Sequence, residues 1–423
     1  MKKKINGITL YVVISSVLFV GLLLILQLKH GTYIEKYFWH DTRDTAMDFF
    51  HSIEYVKGRE PYKTFGVLYP PLANLLFLFI YHMIPGNVSK NWTMDFIESI
   101  GLRGTNFDLR TYQAPLIIYL VFIIICFIAV VELSQYFLKD KKNKKMISYC
   151  IALSYGMLFS LERGNITILA WIFLMIFLMF YQSENKKLKE LALISLAVSF
   201  GLKLYPAFFG ILLIQKKQYK EAVRTIIYGI LCIILPCLFF KEGIGGLAIW
   251  IKTVISYSNS SIPHVGNGFV NTLYCLQKLI HKVFGVVVPD GSFTALSYLV
   301  TLLLLIFSFF QKKEWRRILF VTFAMMLCSS QGDYIFMFLT IPILFLLKEE
   351  TEVTKDNCIL YFGLILLTAN IPLFYTRYES YPRNTMTHIV ISIMLIEMFS
   401  KTIKYIILQL KSRKNNKIIT NDN

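Results

Sequence analysis

The sequence predicts an all-α, polytopic integral membrane protein of about twelve transmembrane helices. Of its 423 residues, 56% are hydrophobic and only 17% are charged, and a soluble enzyme of this length could not bury that much apolar surface. The apolar residues come in repeated runs that short charged loops separate. These runs are too long and too uniformly apolar for barrel strands, so we expect helices. A single integral-membrane domain over residues 1–423 follows from this pattern.

The net charge of +18 comes from lysine and arginine residues in short loops between apolar segments, where such residues act as orientation signals. Their placement argues against a nucleic-acid partner. The seven cysteines lie mostly within or beside apolar runs and show no metal-ligand spacing, so we interpret them as packing residues. Because no nucleotide-binding loop is present, ATP-driven pumping is excluded, and no cofactor or metal is expected.

The first element is an apolar segment, residues 8–29, which follows a basic stretch at 1–6. It is long enough to span a membrane and lacks the small-residue cleavage site of a signal peptide. We therefore predict an anchor with a cytoplasmic N-terminus. Residues 30–66 then form the first outer loop.

An amphipathic helix is predicted within this outer loop. Asp41, Asp44 and Asp48 are spaced three and four residues apart, which places their carboxylates on one side. The opposite side is apolar, so the helix can lie on a membrane with its carboxylates turned away from lipid. Gly58 can end it. The residues of the apolar side are Ala46, Phe49, Phe50, Ile53 and Val56.

Whether residues 67–85 cross the membrane is the main topological alternative. The segment is followed by polar residues 86–112 and by a long apolar run at 113–138. If 67–85 crosses, the lysine cluster at 139–145 faces outward, against the positive-inside tendency. If it is re-entrant or shallow, the cluster faces the cytoplasm. We favour the shallow arrangement, because the proline pair at its start permits an irregular segment.

Beyond this point, apolar segments of about fifteen residues come in pairs. One end of each pair is rich in lysine and is predicted to be cytoplasmic, whereas loop 348–356 is acidic. The other end carries isolated polar residues, which short helices would leave recessed at the outer side, forming a cavity. The lysine-rich turns are 186–189, 216–224, 311–317 and 401–417, and the polar tips are 162–165, 203–206, 329–333 and 377–383.

Two further regions complete the chain. Residues 241–291 form a second long outer loop, in which 247–257 is amphipathic. Residues 401–423 form a basic cytoplasmic tail, in which an apolar patch at 405–410 suits a surface helix.

Asp48 is the candidate catalytic base. A carboxylate in an outer loop is ordinarily only solvated, but here three aspartates share one side of a helix. Within hydrogen-bond reach, such a carboxylate can take a proton from an attacking hydroxyl. Asp41 and Asp44 could instead solvate the start of the helix, where negative charge suits the helix dipole.

Arg163 and Lys203 are the candidate phosphate ligands, since two cations at recessed outer tips can clamp a lipid phosphate. The alternative is that each side chain only snorkels to the membrane interface. Further candidates at the outer tips are Arg377 and Arg383 for phosphate, Asn165 and Asn267 for a sugar hydroxyl or a turn, and Asp333 with Tyr334, which either cap a helix or face the cavity.

An ordered series of short motifs extends from residue 40 to about residue 345. The motifs are Asp48; Gly58 with Pro61-Tyr62; Tyr69-Pro70-Pro71-Leu72; Arg163-Gly164-Asn165; Lys203-Leu204-Tyr205-Pro206; Gly266-Asn267-Gly268; and Ser329 to Tyr334. The series resembles glycosyltransferase family 87, the bacterial mannosyltransferase-like membrane proteins of the GT-C superfamily. That family includes mycobacterial phosphatidylinositol-mannoside mannosyltransferases.

The resemblance implies a GT-C-like fold in the plasma membrane and an inverting transfer on its outer side. The donor would be a polyprenyl-phosphate hexose, with mannose as the default, and the acceptor a lipid or cell-envelope glycan. Asp48 matches the base, and Lys203 matches a basic residue expected near the donor phosphate, which we expect Arg163 to bind as well. Membrane lipids are the other expected partners. The substrate-binding candidates are Asp44, Tyr62, Tyr69, Asn165, Tyr205, Asn267, Asp333 and Tyr334.

Two positions depart from the family pattern. Asn165 follows Gly164 where many relatives have glutamine, and Asp333 precedes Tyr334 where relatives have a histidine near a tyrosine. The second difference leaves open whether that site supports the same reaction or the same sugar.

Three alternative functions stay open at this point. A transporter or flippase of lipid-linked sugars would place charges near mid-membrane and show repeated halves, whereas here the charges lie mainly at segment ends. A polysaccharide polymerase or ligase would use a lipid-diphosphate oligosaccharide. A non-catalytic scaffold would tolerate alanine at Asp48, Arg163 and Lys203 together.

Overall fold

The computed structural model describes residues 5–31, 34–38, 45–91, 109–260, 267–286, 291–328, 332–373 and 382–421. The first ten helices are α1 (Gly7–Leu28), α2 (Ile34–Phe38), α3 (Met47–Lys57), α4 (Pro61–Phe65), α5 (Pro71–Met83), α6 (Gly86–Asn91), α7 (Gln113–Phe137), α8 (Lys144–Ala152), α9 (Tyr155–Arg163) and α10 (Thr167–Phe180). The later helices are α11 (Lys186–Leu202), α12 (Ile211–Gln215), α13 (Tyr219–Cys237), α14 (Gly245–Ser260), α15 (Phe269–Phe284), α16 (Gly291–Ser308), α17 (Glu314–Leu327), α18 (Thr340–Glu349), α19 (Cys358–Thr368) and α20 (Pro382–Asn421). Short 3₁₀ helices lie at Leu109–Thr111, Tyr205–Gly210 and Asp333–Leu339, and strands β1 (Ile5–Asn6) and β2 (Glu352–Val353) pair antiparallel.

The predicted all-α class is confirmed, since 80% of the described chain is helical. Within those residues, two helices are long and apolar enough to cross a membrane by length and composition, α1 and α7. Other apolar helices are shorter, including α5, α10 and α19. The count of about twelve spans therefore stays a prediction.

Helix α7 carries a stripe of exposed apolar side chains. An exposed surface of this kind is unusual for a soluble domain and suits contact with lipid. The stripe includes Ile117, Leu120, Val121, Ile124, Ile125 and Ile128, of which Ile125 is 59% exposed. Only 22% of the most apolar window of this helix is buried in the protein.

The centre of the molecule consists of α10, α17 and α18, which are almost entirely buried and are apolar except for charged residues at one end of α17 and of α18. Each is too short for a straight span and instead packs on protein all round. Trp171 of α10 is fully buried, and its indole donates a hydrogen bond to Thr340 Oγ1 at 3.1 Å. The buried polar atom is thereby satisfied, as a tightly packed core requires.

The amphipathic helix of the first outer loop exists, but its apolar side does not face lipid. Helix α3 begins at Met47, and Asp41 and Asp44 lie outside the described residues. Phe49 and Phe50 are fully buried, and the Phe49 ring contacts those of Phe77, Tyr119 and Phe122 at centroid distances of 5.2–6.0 Å. The prediction of a membrane-lying helix is wrong, because this side is buried in the protein core.

The predicted second outer loop contains two helices, α14 and α15, and α14 includes the amphipathic stretch 247–257. On its inner side, Trp250 is buried and donates a hydrogen bond to the carbonyl of Leu68 at 3.1 Å. The opposite side exposes Ile251 and Ile255. This helix thus covers the turn before α5.

The lysine-rich turns gather at the end of the molecule that holds the N-terminus. Ile5 pairs with Val353 in the two-stranded sheet. In the same region, the Arg316 and Lys401 side chains bind Asp356 at 2.5 and 3.0 Å. The basic tail is not a separate surface helix, because α20 continues without interruption from Pro382 to Asn421.

Candidate active site

Asp48 lies in the first turn of α3, on the side away from the phenylalanines. Its side chain is 18% exposed, so it is recessed but reachable. Ser52, one turn later, donates a hydrogen bond to the Asp48 carbonyl at 2.5 Å and steadies the start of the helix. The carboxylate is therefore held on a short, packed helix rather than on a mobile loop.

Arg163 ends α9 and forms a bidentate ion pair with Asp48. Its Nε donates to Asp48 Oδ2 at 3.0 Å and its Nη2 donates to Oδ1 at 2.8 Å. The pair is possible because Gly164 adopts a left-handed conformation with φ of +62°. A Cβ there would lie 2.7 Å from Phe49 Cβ and 2.9 Å from Tyr119 Cε2, so only glycine permits this approach of α9 to α3.

Asn165 is a further hydrogen-bond partner of Asp48. Its Nδ2 donates to Asp48 Oδ2 at 2.6 Å, and its Oδ1 accepts hydrogen bonds from the backbone N–H of Thr167 at 2.9 Å and from Thr167 Oγ1 at 2.5 Å. Because Oδ1 is occupied by two donors, the amide can only present its NH₂ group to the carboxylate. Asn165 is 1% exposed, which limits any alternative orientation.

These contacts decide the ionisation of Asp48. Burial alone would raise its pKa, but the Arg163 charge and hydrogen bonds, the Asn165 hydrogen bond and the Lys203 charge outweigh burial and lower the pKa of Asp48. The side chain is therefore a carboxylate, able to accept a proton, throughout the neutral range.

Lys203 follows α11 and lies between two tyrosine rings. Its Nζ is 4.2 Å from the ring centroid of Tyr69 and 5.1 Å from that of Tyr334. Among the described residues, no carboxylate forms an ion pair with this ammonium group. Its three N–H donors are thus available to an anion beside Asp48, whose charge also acts on Lys203.

The remaining candidates are distributed around this centre. Tyr69 Oη lies 3.4 Å from Asn165 Nδ2, and Tyr205 Oη donates to Thr167 Oγ1 at 3.3 Å. Tyr62 lies apart: its hydroxyl donates to the carbonyl of Tyr69 at 3.2 Å and accepts from Asn74 at 3.0 Å. It supports the turn that carries Tyr69. Asp44 lies outside the described residues.

Asp333 and Asn267 form a separate buried cluster. Asn267 Nδ2 donates to Asp333 Oδ1 at 2.6 Å, and the hydroxyl of Tyr155 donates to Asp333 Oδ2. The Phe159 ring stacks between Tyr155 and Tyr334, with centroid distances of 6.2 and 6.4 Å. An aromatic wall therefore joins this cluster to the Asp48 centre.

The family model of glycosyltransferase family 87 matches residues 68–330, more than half of the chain. The chain belongs to glycosyltransferase family 87. Among curated proteins, a search found no significant match. The coarse activity of this family-87 protein is thus glycosyl transfer, and the enzymes of this family are membrane proteins. Membership gives no support to the transporter or scaffold alternatives.

The matched region includes Arg163, Asn165 and Lys203 but not Asp48, which lies before it. The importance of Asp48 in this family-87 protein therefore rests on the contacts that residues of the matched region make with it. Three side chains of that region direct positive charge or N–H donors at one carboxylate.

Sequence reasoning missed Thr167 and Tyr155. Thr167 had a local signal, because it stands two residues after Asn165, a spacing at which a threonine can bond an asparagine side chain. Tyr155 had none, since its partner Asp333 is 178 residues away.

Proposed function

We propose that this protein transfers a hexose, with mannose as the default, from a polyprenyl-phosphate donor to a lipid or glycan acceptor, with inversion and with Asp48 as the base. The observation that carries the proposal is the arrangement at Asp48. An ionised, partly exposed carboxylate lies in the same recess as an ammonium group that forms no ion pair with any described carboxylate. Transfer of a sugar from a lipid phosphate to a hydroxyl needs a base and an anion site in one recess.

In the proposed step, an acceptor hydroxyl lies against Asp48 and gives its proton to the carboxylate. The hydroxyl oxygen attacks the anomeric carbon from the face opposite the phosphate, and the bond from that carbon to the phosphate oxygen breaks. The sugar is inverted, and polyprenyl phosphate leaves with the electron pair. One carboxylate suffices, because no covalent intermediate forms.

Lys203 is the proposed ligand of the departing phosphate. Held between Tyr69 and Tyr334, it can stabilise the charge that develops on the leaving group. Arg163 already directs Nε and Nη2 at Asp48, so we assign it first to orienting that carboxylate. Asn165 has the same task, rather than binding a sugar hydroxyl.

Replacing Asp48 by asparagine tests the proposal. The side chain keeps its size but cannot take the proton, so we expect turnover to fall at least about a hundredfold. The measurement is transfer from radiolabelled polyprenyl-phosphate mannose to a membrane glycolipid extract, catalysed by the purified full-length protein in detergent.

The matched control is Glu54→Gln, the same change on the same helix. Glu54 is buried and its carboxylate makes no hydrogen bond to the residues around Asp48, so we expect turnover within about twofold of wild type. Near-normal transfer by Asp48→Asn would rule out Asp48 as the base.

A further inference from the structure

Arg383 is a buried arginine at the start of α20, near the Asp333 cluster. Its side chain is 7% exposed, and its guanidinium carbon lies 3.2 Å from the ring centroid of Tyr155. The Tyr37 ring lies on another side, at 6.0 Å. The guanidinium is therefore held by the Tyr155 ring and by a hydrogen bond to the Tyr37 side chain.

Two donors of this guanidinium, Nε and Nη1, are buried and have no hydrogen-bond partner. Unpartnered N–H groups of a buried charge are costly, and a folded protein retains them chiefly where a ligand satisfies them. Nε and Nη1 lie on different edges of the planar guanidinium, and each can donate a hydrogen bond to an anion.

The neighbouring cluster also contains a buried polar atom without a hydrogen-bond partner. Asn267 is fully buried, and its Nδ2 is bonded to Asp333, but its Oδ1 has no hydrogen-bond partner. Asp333 accepts from Asn267 and Tyr155 and so has both oxygens occupied. The cluster thus offers buried cationic N–H donors and a nearby acceptor, a pair suited to a phosphate that carries a hydroxyl-bearing group.

Position relates this cluster to the active site. Tyr155 contacts Arg383 on one side and the Phe159 ring on the other, and Arg163 lies 5.9 Å from the centroid of Phe159. Two aromatic rings therefore separate the Arg383 guanidinium from the residue that holds Asp48.

We propose that Arg383 forms a second anion subsite that binds a lipid-borne phosphate of a substrate while the sugar reacts at Asp48. This inference rests on the proposed function for its substrate. Because Lys203 already serves the donor phosphate, the phosphate at Arg383 belongs to the headgroup of the acceptor, or else to a donor bound in a second orientation.

Binding measurements test the subsite without sugar transfer, so a failure of the assignment of Asp48 would not affect them. Full-length protein in an uncharged detergent is titrated with dioleoylphosphatidic acid, with undecaprenyl phosphate, and with neutral dioleoylglycerol. For Arg383→Gln we expect the Kd of at least one phosphate lipid to rise about tenfold or more, with no change for dioleoylglycerol.

The two phosphate lipids distinguish the source. An effect on phosphatidic acid assigns the subsite to an acceptor headgroup, and an effect on undecaprenyl phosphate alone assigns it to the donor. Arg224→Gln, at a partly exposed arginine paired with Glu190, is the control for loss of one charge. Arg383→Lys keeps the charge but not the planar guanidinium, and we expect a smaller loss of about threefold, which provides the test if the glutamine variant does not fold. Unchanged Kd values for both phosphate lipids in the folded Arg383 variants would overturn the proposal.

Discussion

At the scale of single residues, the site is built from pairs whose charges decide each other's state. Asp48 and Arg163 are far apart in sequence, yet the arginine binds both carboxylate oxygens. A base with a lowered pKa is weak, but it stays ionised in a recess where burial alone would neutralise it. Its proton affinity is then set by Arg163.

Arg163→Gln should change the pH profile as well as the rate. In the wild type, the lowered pKa of Asp48 keeps the base active as the pH falls towards its ordinary value of 3.8. Without the guanidinium, burial becomes the larger influence and raises the pKa, so the acidic limb of kcat/KM moves to higher pH, above about 4. A pH series on both proteins measures this shift. An acidic limb at the same pH in both would show that Arg163 does not control the Asp48 charge.

The buried carboxyl group of Glu54 leads to a second prediction at this scale, which concerns the stability of the fold. Burial raises its pKa from 4.5 to about 7, and both carboxylate oxygens lack a hydrogen-bond partner. The folded state therefore binds a proton that the unfolded state has released, so stability is greatest below the unfolded pKa and is lost as the pH rises through about 7.

Glu54→Gln removes this titration. We expect the variant to have a higher Tm than wild type at pH 8 and little difference at pH 4.5, because the wild-type carboxyl is then largely protonated in the fold. Thermal unfolding of both proteins at the two pH values measures the effect. Parallel pH dependence of the two Tm values would contradict it.

The charged site residues could be predicted from the sequence, because a charge at the end of an apolar segment is conspicuous. Which of these side chains pair with each other could not be predicted. Two cations at recessed tips predict a phosphate site for Arg163 and Lys203 together, whereas the structure directs two of the Arg163 donors at Asp48. Nothing in the spacing of two residues on separate helices predicts which side chain lies nearer.

At the scale of elements, the hydrophobic pattern of the sequence predicted where helices lie, but it did not predict what surrounds a helix. The apolar side of α3 has the period of a helix that could contact lipid or protein equally. The structure buries it against Phe77 and Tyr119, since α5 and α7 lie beneath it. The periodicity shows that one side of the helix is apolar, but it does not show what covers that side.

The close approach of α9 to α3 leads to a prediction about the stability of a Gly164→Ala variant. Alanine there would adopt a strained left-handed conformation and would crowd Phe49 and Tyr119, so we expect a loss of at least about 2 kcal/mol and a lower Tm. Gly58→Ala is the matched control, because its φ is −77° and a Cβ there would meet nothing within 4 Å. Equal Tm values for the two alanine variants would contradict the role of Gly164.

At the scale of the whole molecule, the charge pattern predicted which turns lie together. The N-terminus, the acidic loop 348–356 and Lys401 meet at one end. That loop is an exception to the basic pattern of the sequence, and two of its acids pair with the neighbouring basic residues Arg316 and Lys313. The side of the membrane on which this end lies stays a prediction.

Helix α5 is the element on which topology depends. Its 13 residues would extend only about 20 Å, less than a hydrocarbon core of about 30 Å. We therefore expect the lysine cluster at 139–145 to be cytoplasmic. In a cysteine-free background, Lys142→Cys should resist an impermeant maleimide in intact cells and react after the membrane is opened.

Lys63→Cys is the control for that experiment, since Lys63 is exposed and belongs to the predicted first outer loop. It should be labelled in intact cells. Labelling of Cys at position 142 from outside would show that α5 crosses the membrane.

The two-stranded sheet has a consequence for biosynthesis. Ile5 and Asn6 pair with residues 352 and 353, Gly7 donates to the carbonyl of Thr351 at 2.9 Å, and Tyr361 donates to the carbonyl of Gly7. The N-terminal end of α1 thus acquires these partners only after some 350 further residues, roughly 20 to 70 seconds at ordinary synthesis rates. Its contact with α8, where Ser16 Oγ lies 3.8 Å from Cys150 Sγ, can form earlier. Closure of the N-terminus is accordingly among the last events of assembly, a high-contact-order step completed after most of the chain has been inserted.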